Sequence, residues 1–429
     1  MIENNSYLSN RDNITRKYIF YSIIYLFSYE LLQKNIGIPS YFVYIADLFY
    51  LFFLTRGIFN IKKMRFADIF LAYCLLLGML VVMVCGWVLN VVSIPNVITG
   101  LRGQYLCFSI FFASVMVLTL SDYHKIMKCF FYYQFINVFL ALYQYFILGL
   151  HRDWNNGAFT GGMTQDIFCG VLFLYYYNQY ALKRCKTWKM VFVIVSCLFI
   201  AVVEEEKFIF LEIALIVGYK ALISKKNFKN ILVLVFCAVV VPYAVDESGR
   251  INGDYSSTTM RDTYSMYEYL TTPGTGFGLP RIGSSVVIQE MFFDNPVKSF
   301  VGLGAGACEK TEWSMVDTSF LQRHGMLAYY NFSFQIIFLQ TGWLGVLFYL
   351  SFFIALLVSN IKQKKTAPKQ LKYVYDMAIM ITVILFISIW YNQTLRWYFA
   401  ILPFFLLALG PATTRQIKEK NHLKLKKSL

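Results

Sequence analysis

Charged residues are scarce in this chain: Asp, Glu, Lys and Arg make up 15% of its 429 residues, against about 25% in a soluble domain. That shortage excludes an ordinary water-soluble globule. Histidine is scarcer still, and the four present (His124, His151, His324 and His422) are scattered singly, which argues against a histidine-based metal centre. No Walker A loop, HExxH zinc site or GxSxG elbow occurs, so none of these soluble catalytic motifs is available. Sustained repeats and low-complexity tracts are missing too, against a solenoid and an inverted-repeat transporter. Of nine cysteines only Cys308 falls in the one long polar loop, so no disulfide is expected within that loop and the others read as small buried hydrophobes. A secretory signal is not expected either. Residues 1–16 are polar and the first apolar run lacks a small-residue cleavage site, so that run is expected to remain as an anchor.

What the chain has in excess is apolar sequence, at 58% hydrophobic and 19% aromatic, with a mean hydropathy of +0.53. It arrives as about twelve runs near the roughly 20 residues that cross a hydrocarbon core. They lie at 17–32, 41–59, 67–89, 105–120, 127–148, 167–182, 190–203, 208–223, 231–245, 332–360, 373–390 and 397–409. The expected fold is all-α: a polytopic membrane protein of about twelve transmembrane helices. Residues 1–244 would hold the first nine spans, 245–331 one large loop, 332–410 the last three spans and 411–429 a basic tail lying disordered against anionic lipid.

The net charge of +15 might point to nucleic acid, so its distribution decides. With both termini in the cytoplasm, most Lys and Arg fall on the inner side, among them Lys62, Lys63, Arg65, Lys183, Arg184, Lys362, Lys364, Lys365 and Lys424, as the positive-inside rule requires. The basicity is therefore topological, and no nucleic-acid partner is implied. The long loop then faces outward, and from Asp246 to Asn331 it carries ten acids against six bases. Helical apolar spacing predicts two short amphipathic helices within it, Met260 to Leu270 and Ile282 to Phe293. A second irregular connection is expected from His151 to Asp166, whose Gly and Asn content opposes helix.

Candidate chemistry gathers on the outer face. Arg102, Arg152, Arg250, Arg261, Arg281, Arg323 and Arg396 would lie there, and guanidinium offers phosphate a bidentate fork; the alternative is an interfacial arginine snorkelling to headgroups. Arg102 follows Pro95 and Gly100 in a connection expected to dip back toward the bilayer. Glu204, Glu205, Glu206 and Lys207 form a turn between two apolar runs, where adjacent carboxylates repel and could supply a base; the alternative is a hairpin tip in water. The segment from Arg281 to Gly306 reads as an arginine, a short helix, an Asp-Asn-Pro turn and a glycine-rich, strand-like stretch whose backbone can approach something closely. Asn331 to Gly345 then opens a span. Loop aromatics (Tyr255, Tyr264, Tyr267, Tyr269, Phe277, Trp313) could stack on sugar rings or form an interfacial belt.

With this topology, and with the motif region at Arg281–Gly345 and the turn at Lys207, the chain resembles the O-antigen polymerase and ligase superfamily, twelve-span proteins with a large periplasmic loop before the tenth span. On this resemblance the family's arginine ahead of a Pro, Gly-x-Gly segment is Arg281, and its basic residue at the outer end of the eighth span is Lys207, preceded here by Glu206 in place of Ser. Its His-Asn pair falls at Tyr330 and Asn331 or one position later, so the histidine, more typical of the ligase branch, is missing. His324, seven residues before Asn331, either substitutes for it or has no role. The resemblance implies polymerisation of undecaprenyl-pyrophosphate-linked repeat units at the periplasmic face of a bacterial inner membrane, with lipid-linked donor and acceptor as partners. A chain-length regulator protein is a further expected partner; no metal or other cofactor is needed. Arg281, Lys207 and Arg102 are expected to serve the departing pyrophosphate. Glu206, ahead of Asp254 and Glu205, is expected to serve as base. Arg152, Arg261, Arg323, His324, Tyr330 and Asn331 are expected to bind substrate. The alternatives from the same reading are an O-antigen ligase and a lipid-linked oligosaccharide flippase.

Overall fold

The computed structural model describes residues 10–57, 61–150, 154–204, 206–223, 278–310 and 318–428. Expectations placed on Arg152, Glu205, the apolar run 231–245, the helix at Met260 to Leu270, Arg250, Asp254, Arg261, the loop aromatics up to Phe277 and Trp313 lie outside these residues. Among the described residues the chain is helical, without a strand. In chain order the helices are α1 (Asn10–Ile36), α2 (Tyr44–Gly57), α3 (Ile61–Phe66), α4 (Phe70–Asn90), α5 (Ile94–Val117), α6 (Leu120–Phe146), α7 (Gly162–Ala181), α8 (Thr187–Val203) and α9 (Lys207–Ile223). After residue 277 come α10 (Ser284–Phe292), α11 (Pro296–Val301), α12 (Ser319–His324), α13 (Ser333–Thr366), α14 (Lys372–Tyr391), α15 (Ile401–Leu407) and α16 (Leu409–Ser428).

Among the described residues, five segments are long and apolar enough to cross a membrane: Phe70–Asn90, Ile94–Val117, Leu120–Phe146, Ser333–Thr366 and Lys369–Tyr391. Their surfaces are arranged for lipid. On α6 the polar Gln134, Asn137 and Gln144 are buried with Ala141, while Phe139, Tyr143 and Phe146 face outward. The buried set recurs at helical spacing, so one helix face carries the amides inward and the other presents rings outward. In water that distribution would be costly; in hydrocarbon it satisfies each polar group internally.

The chain divides into two compact units. Unit 1 comprises Met1–Ile19, Asp47–Thr119 and Glu268–Leu429, and unit 2 comprises Phe20–Ala46 and Leu120–Tyr267. In unit 1, α13 packs on α4 and α14, and α5 on α15 and α16. Phe108 of α5 joins them, with its ring centroid 4.6 Å from Phe404 and 5.4 Å from Phe352.

Unit 1 departs from expectation at several points. Pro95 and Gly100 do not lie in a connection: proline takes the first turn of α5, where its missing N–H is no loss, and the helix runs on through Arg102. The run at 397–409 becomes a 3-10 turn, Trp397–Ala400, followed by the seven residues of α15. The tail is helical from Leu409 to Ser428, and its first turns are buried at Thr413, Thr414 and Arg415. Arg415 donates to the Leu118 carbonyl at 2.9 Å, and Thr414 meets the Tyr375 hydroxyl at 2.9 Å, so packing overrides the tail's polar composition.

The glycine-rich, strand-like loop is irregular backbone, and what it approaches closely is the protein's own helices. Helix α13 breaks at Gly342 (φ 58°, ψ −162°), a conformation close to glycine-only. A break leaves the preceding carbonyls without their intrahelical donors. Here Leu303 donates to the Leu339 carbonyl at 2.7 Å and Gly304 to the Gln340 carbonyl at 3.1 Å. The turn expected at Asn295 and Pro296 is instead the start of α11, capped by the Asn295 side chain, which accepts from the Lys298 N–H at 2.9 Å.

Unit 2 buries the second irregular connection. Asn155 to Phe159 are buried, and α6 supplies the hydrogen bonds this non-helical backbone lacks. Gln144 accepts from the Gly157 N–H at 2.9 Å and donates to its carbonyl at 2.8 Å, and Asn137 accepts from Ala158 at 2.9 Å. Irregular backbone inside an apolar protein persists only when it is satisfied in this way.

Candidate functional site

The densest polar arrangement in unit 1 forms around Arg396, which the sequence marks only as one of several outer arginines. Its backbone comes from the short connection after α14. The Asn392 side chain accepts from the Thr394 N–H at 3.0 Å, the Asn392 carbonyl accepts from both the N–H and the hydroxyl of Ser333 at 3.0 Å, and Arg396 N–H bonds the Gln393 carbonyl at 3.0 Å. These bonds tie the connection to the start of α13 and turn Arg396 inward. Its guanidinium, 1% exposed, pairs with Glu309, also 1% exposed. Glu309 follows the glycine loop. It also accepts from Gln340 of α13 at 2.7 Å, and Gln340 in turn accepts from Gln104 of α5 at 3.0 Å.

The pair is not saturated. Nε and Nη1 of Arg396, Oε2 of Glu309 and Oε1 of Gln104 are buried without a hydrogen-bond partner among the described residues. Burial pushes the Glu309 carboxyl above its ordinary range, while the Arg396 charge and the hydrogen bonds from Gln340 and Arg396 pull it back.

Trp397 links this pair to Arg102. The Arg102 guanidinium lies 5.1 Å from the Trp397 ring centroid and that of Arg396 lies 6.0 Å from it. Arg102 is itself paired with Asp47 of α2 at 2.7 Å, so its charge is already offset by a carboxylate. It is a paired helix residue and not the loop arginine the sequence leads one to expect.

Arg281 ends a short approach to α10, half-buried against two rings. Its guanidinium is 5.4 Å from the Phe332 centroid and 5.8 Å from that of Tyr391, and the preceding Pro280 carbonyl accepts from Gln335 at 3.0 Å. The long loop thus returns Arg281 to the start of α13 and the end of α14. His324 ends α12 with its ring 4.9 Å from both Phe292 and Phe320. Arg323 beside it is exposed. Lys310 stands 4.2 Å from the centroid of Tyr330, and Asn331 is exposed, closing a 3-10 turn onto the Ala328 carbonyl at 3.0 Å.

Glu206, in the turn after α8, and Lys207, the first residue of α9, belong to unit 2, and both are half-buried. The turn is no hairpin tip in water, because Glu204 is 1% exposed and accepts from Gln165 at 2.7 Å. Burial, and then the neighbouring Glu206 charge, push the Glu204 carboxyl well above its ordinary range, against the pull of the Gln165 hydrogen bond and Lys34. Of the expected site residues, unit 1 therefore holds Arg102, Arg281, Arg323, His324, Tyr330 and Asn331, and unit 2 holds Lys207 and Glu206.

Sequence reasoning missed Glu309 and Gln340. Gln340 carried the available signal, being an amide inside an apolar run, where a polar group must find a partner. Glu309 carried none, since it is one of ten acids in its loop.

No protein-family model matches this chain, and no curated protein matches its sequence.

Proposed function

We propose that the protein polymerises lipid-linked oligosaccharide repeat units at the periplasmic face of a bacterial inner membrane, for O-antigen or a related surface polysaccharide. The chain would cross the membrane about twelve times with both termini cytoplasmic and residues 245–331 outside. The reaction is a block transfer. An acceptor sugar hydroxyl attacks the anomeric carbon of the donor, the bond to pyrophosphate breaks, undecaprenyl pyrophosphate leaves with the electron pair, and the hydroxyl proton passes to a base. No metal or nucleotide is required, because the pyrophosphate is already an activated leaving group.

The observation that carries this reading is the arginine arrangement of unit 1. Arg396 keeps two buried donors without a partner among the described residues, Arg102 shares Trp397 with it, and Arg281 stands on the rings of Phe332 and Tyr391. Guanidinium forks in a low-dielectric setting suit the charge that develops on a departing pyrophosphate. Arg281 and Arg396 are the proposed pyrophosphate ligands; Arg102, neutralised by Asp47, positions Trp397. Lys207 and Glu206 stay as the cation and base candidates of unit 2, and Arg323, His324, Tyr330 and Asn331 as glycan contacts. A chain-length regulator is the proposed protein partner. The test is a deletion strain. Loss of a polymerase leaves single repeat units on the surface lipid, loss of a ligase or flippase leaves none, and an unchanged long-chain ladder would end the proposal.

One observation favours a second reading, a lipid-linked oligosaccharide flippase. Glu30, Asp166 and Glu212 of unit 2 are buried within helices, none more than 1% exposed, and ionisable groups there are a mark of transport pathways. The same deletion strain separates the two, since the flippase reading predicts bare surface lipid.

A further inference from the structure

Unit 2 contains buried carboxyl groups that glycosyl transfer does not use. Glu212 lies in the second turn of α9, is 0% exposed, and neither of its oxygens has a hydrogen-bond partner among the described residues. Its seat is made by Gly170 of α7: a methyl group at that position would overlap the Glu212 carboxyl itself. Asp166, one turn earlier on α7, lies within electrostatic reach of Glu204, Glu206 and Glu212 together. Glu204 and Gln165 complete the set. One oxygen of Glu204 accepts from Gln165, and the other, like the side-chain oxygen of Gln165, is buried with no donor.

Four buried oxygens (both of Glu212, one of Glu204 and one of Gln165) therefore lack a hydrogen-bond donor among the described residues, and all four are acceptors. Such a set is satisfied by protons or by a cation, because an ionised carboxylate without a partner in an apolar interior reverts to its neutral form. Among the described residues no cation acts on Glu212: from α7 it meets Asp166 and Cys169, from α8 Cys197, and from the turn before α9 Glu206. Lys34 of α1 acts on Glu204, but its ammonium donates to the Trp154 carbonyl at 3.0 Å. No group of three or more His, Cys, Asp or Glu among the described residues is arranged to hold a metal ion.

We propose that Glu212, Asp166 and Glu204 form a proton-binding site where α7, α9 and the turn after α8 meet. The event is a simple acid dissociation: the O–H bond of the carboxyl breaks, the proton leaves, and the electron pair stays on oxygen. Protonation then controls packing, because an ionised Glu212 cannot keep its seat against Gly170 beside Asp166 and Glu206. The site adjoins Glu206, the base candidate, but its test reads carboxyl protonation and not chain extension, so it survives or fails apart from the glycosyl-transfer reading.

The test is infrared spectroscopy of the full chain in lipid nanodiscs, with the glutamates isotope-labelled so that their carbonyl stretch separates from that of aspartate. A protonated glutamic acid band is expected at neutral pH, lost in Glu212→Gln and lost reversibly in the wild-type protein at high pH. Absence of the band from the wild-type protein, or its persistence unchanged in Glu212→Gln, would overturn the site. Loss of the band on adding sodium or potassium at constant pH would also overturn it, since the oxygens would then be holding a metal cation. If Glu212→Gln does not assemble, the wild-type spectrum decides alone, through the presence or absence of the band at neutral pH and its titration.

Discussion

Arg396 and Glu309 make each other tolerable. Either charge alone would be stranded in an interior where both side chains are 1% exposed, and breaking such a pair from one side typically costs about 3–5 kcal/mol. Arg396→Met is therefore expected to lower thermal stability in detergent by an amount of this order. Arg396→Met combined with Glu309→Met should recover much of the loss, because no unpaired charge remains. A single variant as stable as wild type would show that the pair is not buried as described. Arg281 answers differently. It stands on two aromatic faces and lies half-buried, so Arg281→Ala should leave the folded protein in the membrane yet abolish chain extension, and Arg281→Lys should retain part of it. A glycan ladder run beside a membrane immunoblot checks both halves. The sequence singled out Arg281 from its place ahead of the Asp-Asn-Pro and glycine-rich segment, but it could not show that Arg102 is already engaged by Asp47 from 55 positions away. Single residues are legible from local pattern; their long-range partners are not.

At the scale of elements, hydropathy found where helices lie but not how they end. Helix α5 starts well before its apolar run because Pro95 and the residues after it continue the helix, and α16 extends through a stretch whose composition reads as loop. The break in α13 was hidden altogether, since Gly342 sits inside an apolar run and only the approach of Leu303 and Gly304 shows why the helix yields there. A Cβ at Gly342 would lie 2.5 Å from the Ser299 carbonyl oxygen and 2.6 Å from the Phe300 carbonyl. Gly342→Ala should therefore destabilise by at least about 1–3 kcal/mol from backbone strain alone, read as a lower melting temperature. An unchanged melting temperature would mean the helix is straight. The turn between α8 and α9 gives a pH prediction. Glu204 is held above its ordinary carboxyl range by burial and by Glu206, so the folded state retains a proton that the unfolded chain gives up near pH 4.3. Its stabilising effect is complete below that value and is lost as pH rises toward the raised one. Thermal stability should fall over that rise, and Glu204→Gln should flatten the dependence.

For the molecule as a whole, the apolar outward faces of α4, α6 and α13 beside buried amides mark an interior organised for lipid, and this was legible from composition. The sidedness rests on charge counting. In a background with the native cysteines replaced, Glu290→Cys should react with a membrane-impermeant maleimide added to intact spheroplasts, and Lys365→Cys should react only after lysis; both positions are exposed. The reverse pattern would turn the loop inward and remove it from any periplasmic reaction. The division into two units was not legible, because unit 1 gathers α2 to α5 together with everything after residue 268, a grouping that no local pattern announces. The central claim is that this chain alone joins lipid-linked repeat units. The most direct measurement supplies the purified full chain in proteoliposomes with undecaprenyl-pyrophosphate-linked repeat units and a metal chelator, then resolves the products by length. Products longer than one repeat, absent with Arg281→Ala, are the predicted result; single repeats only, from folded wild-type protein, would contradict it.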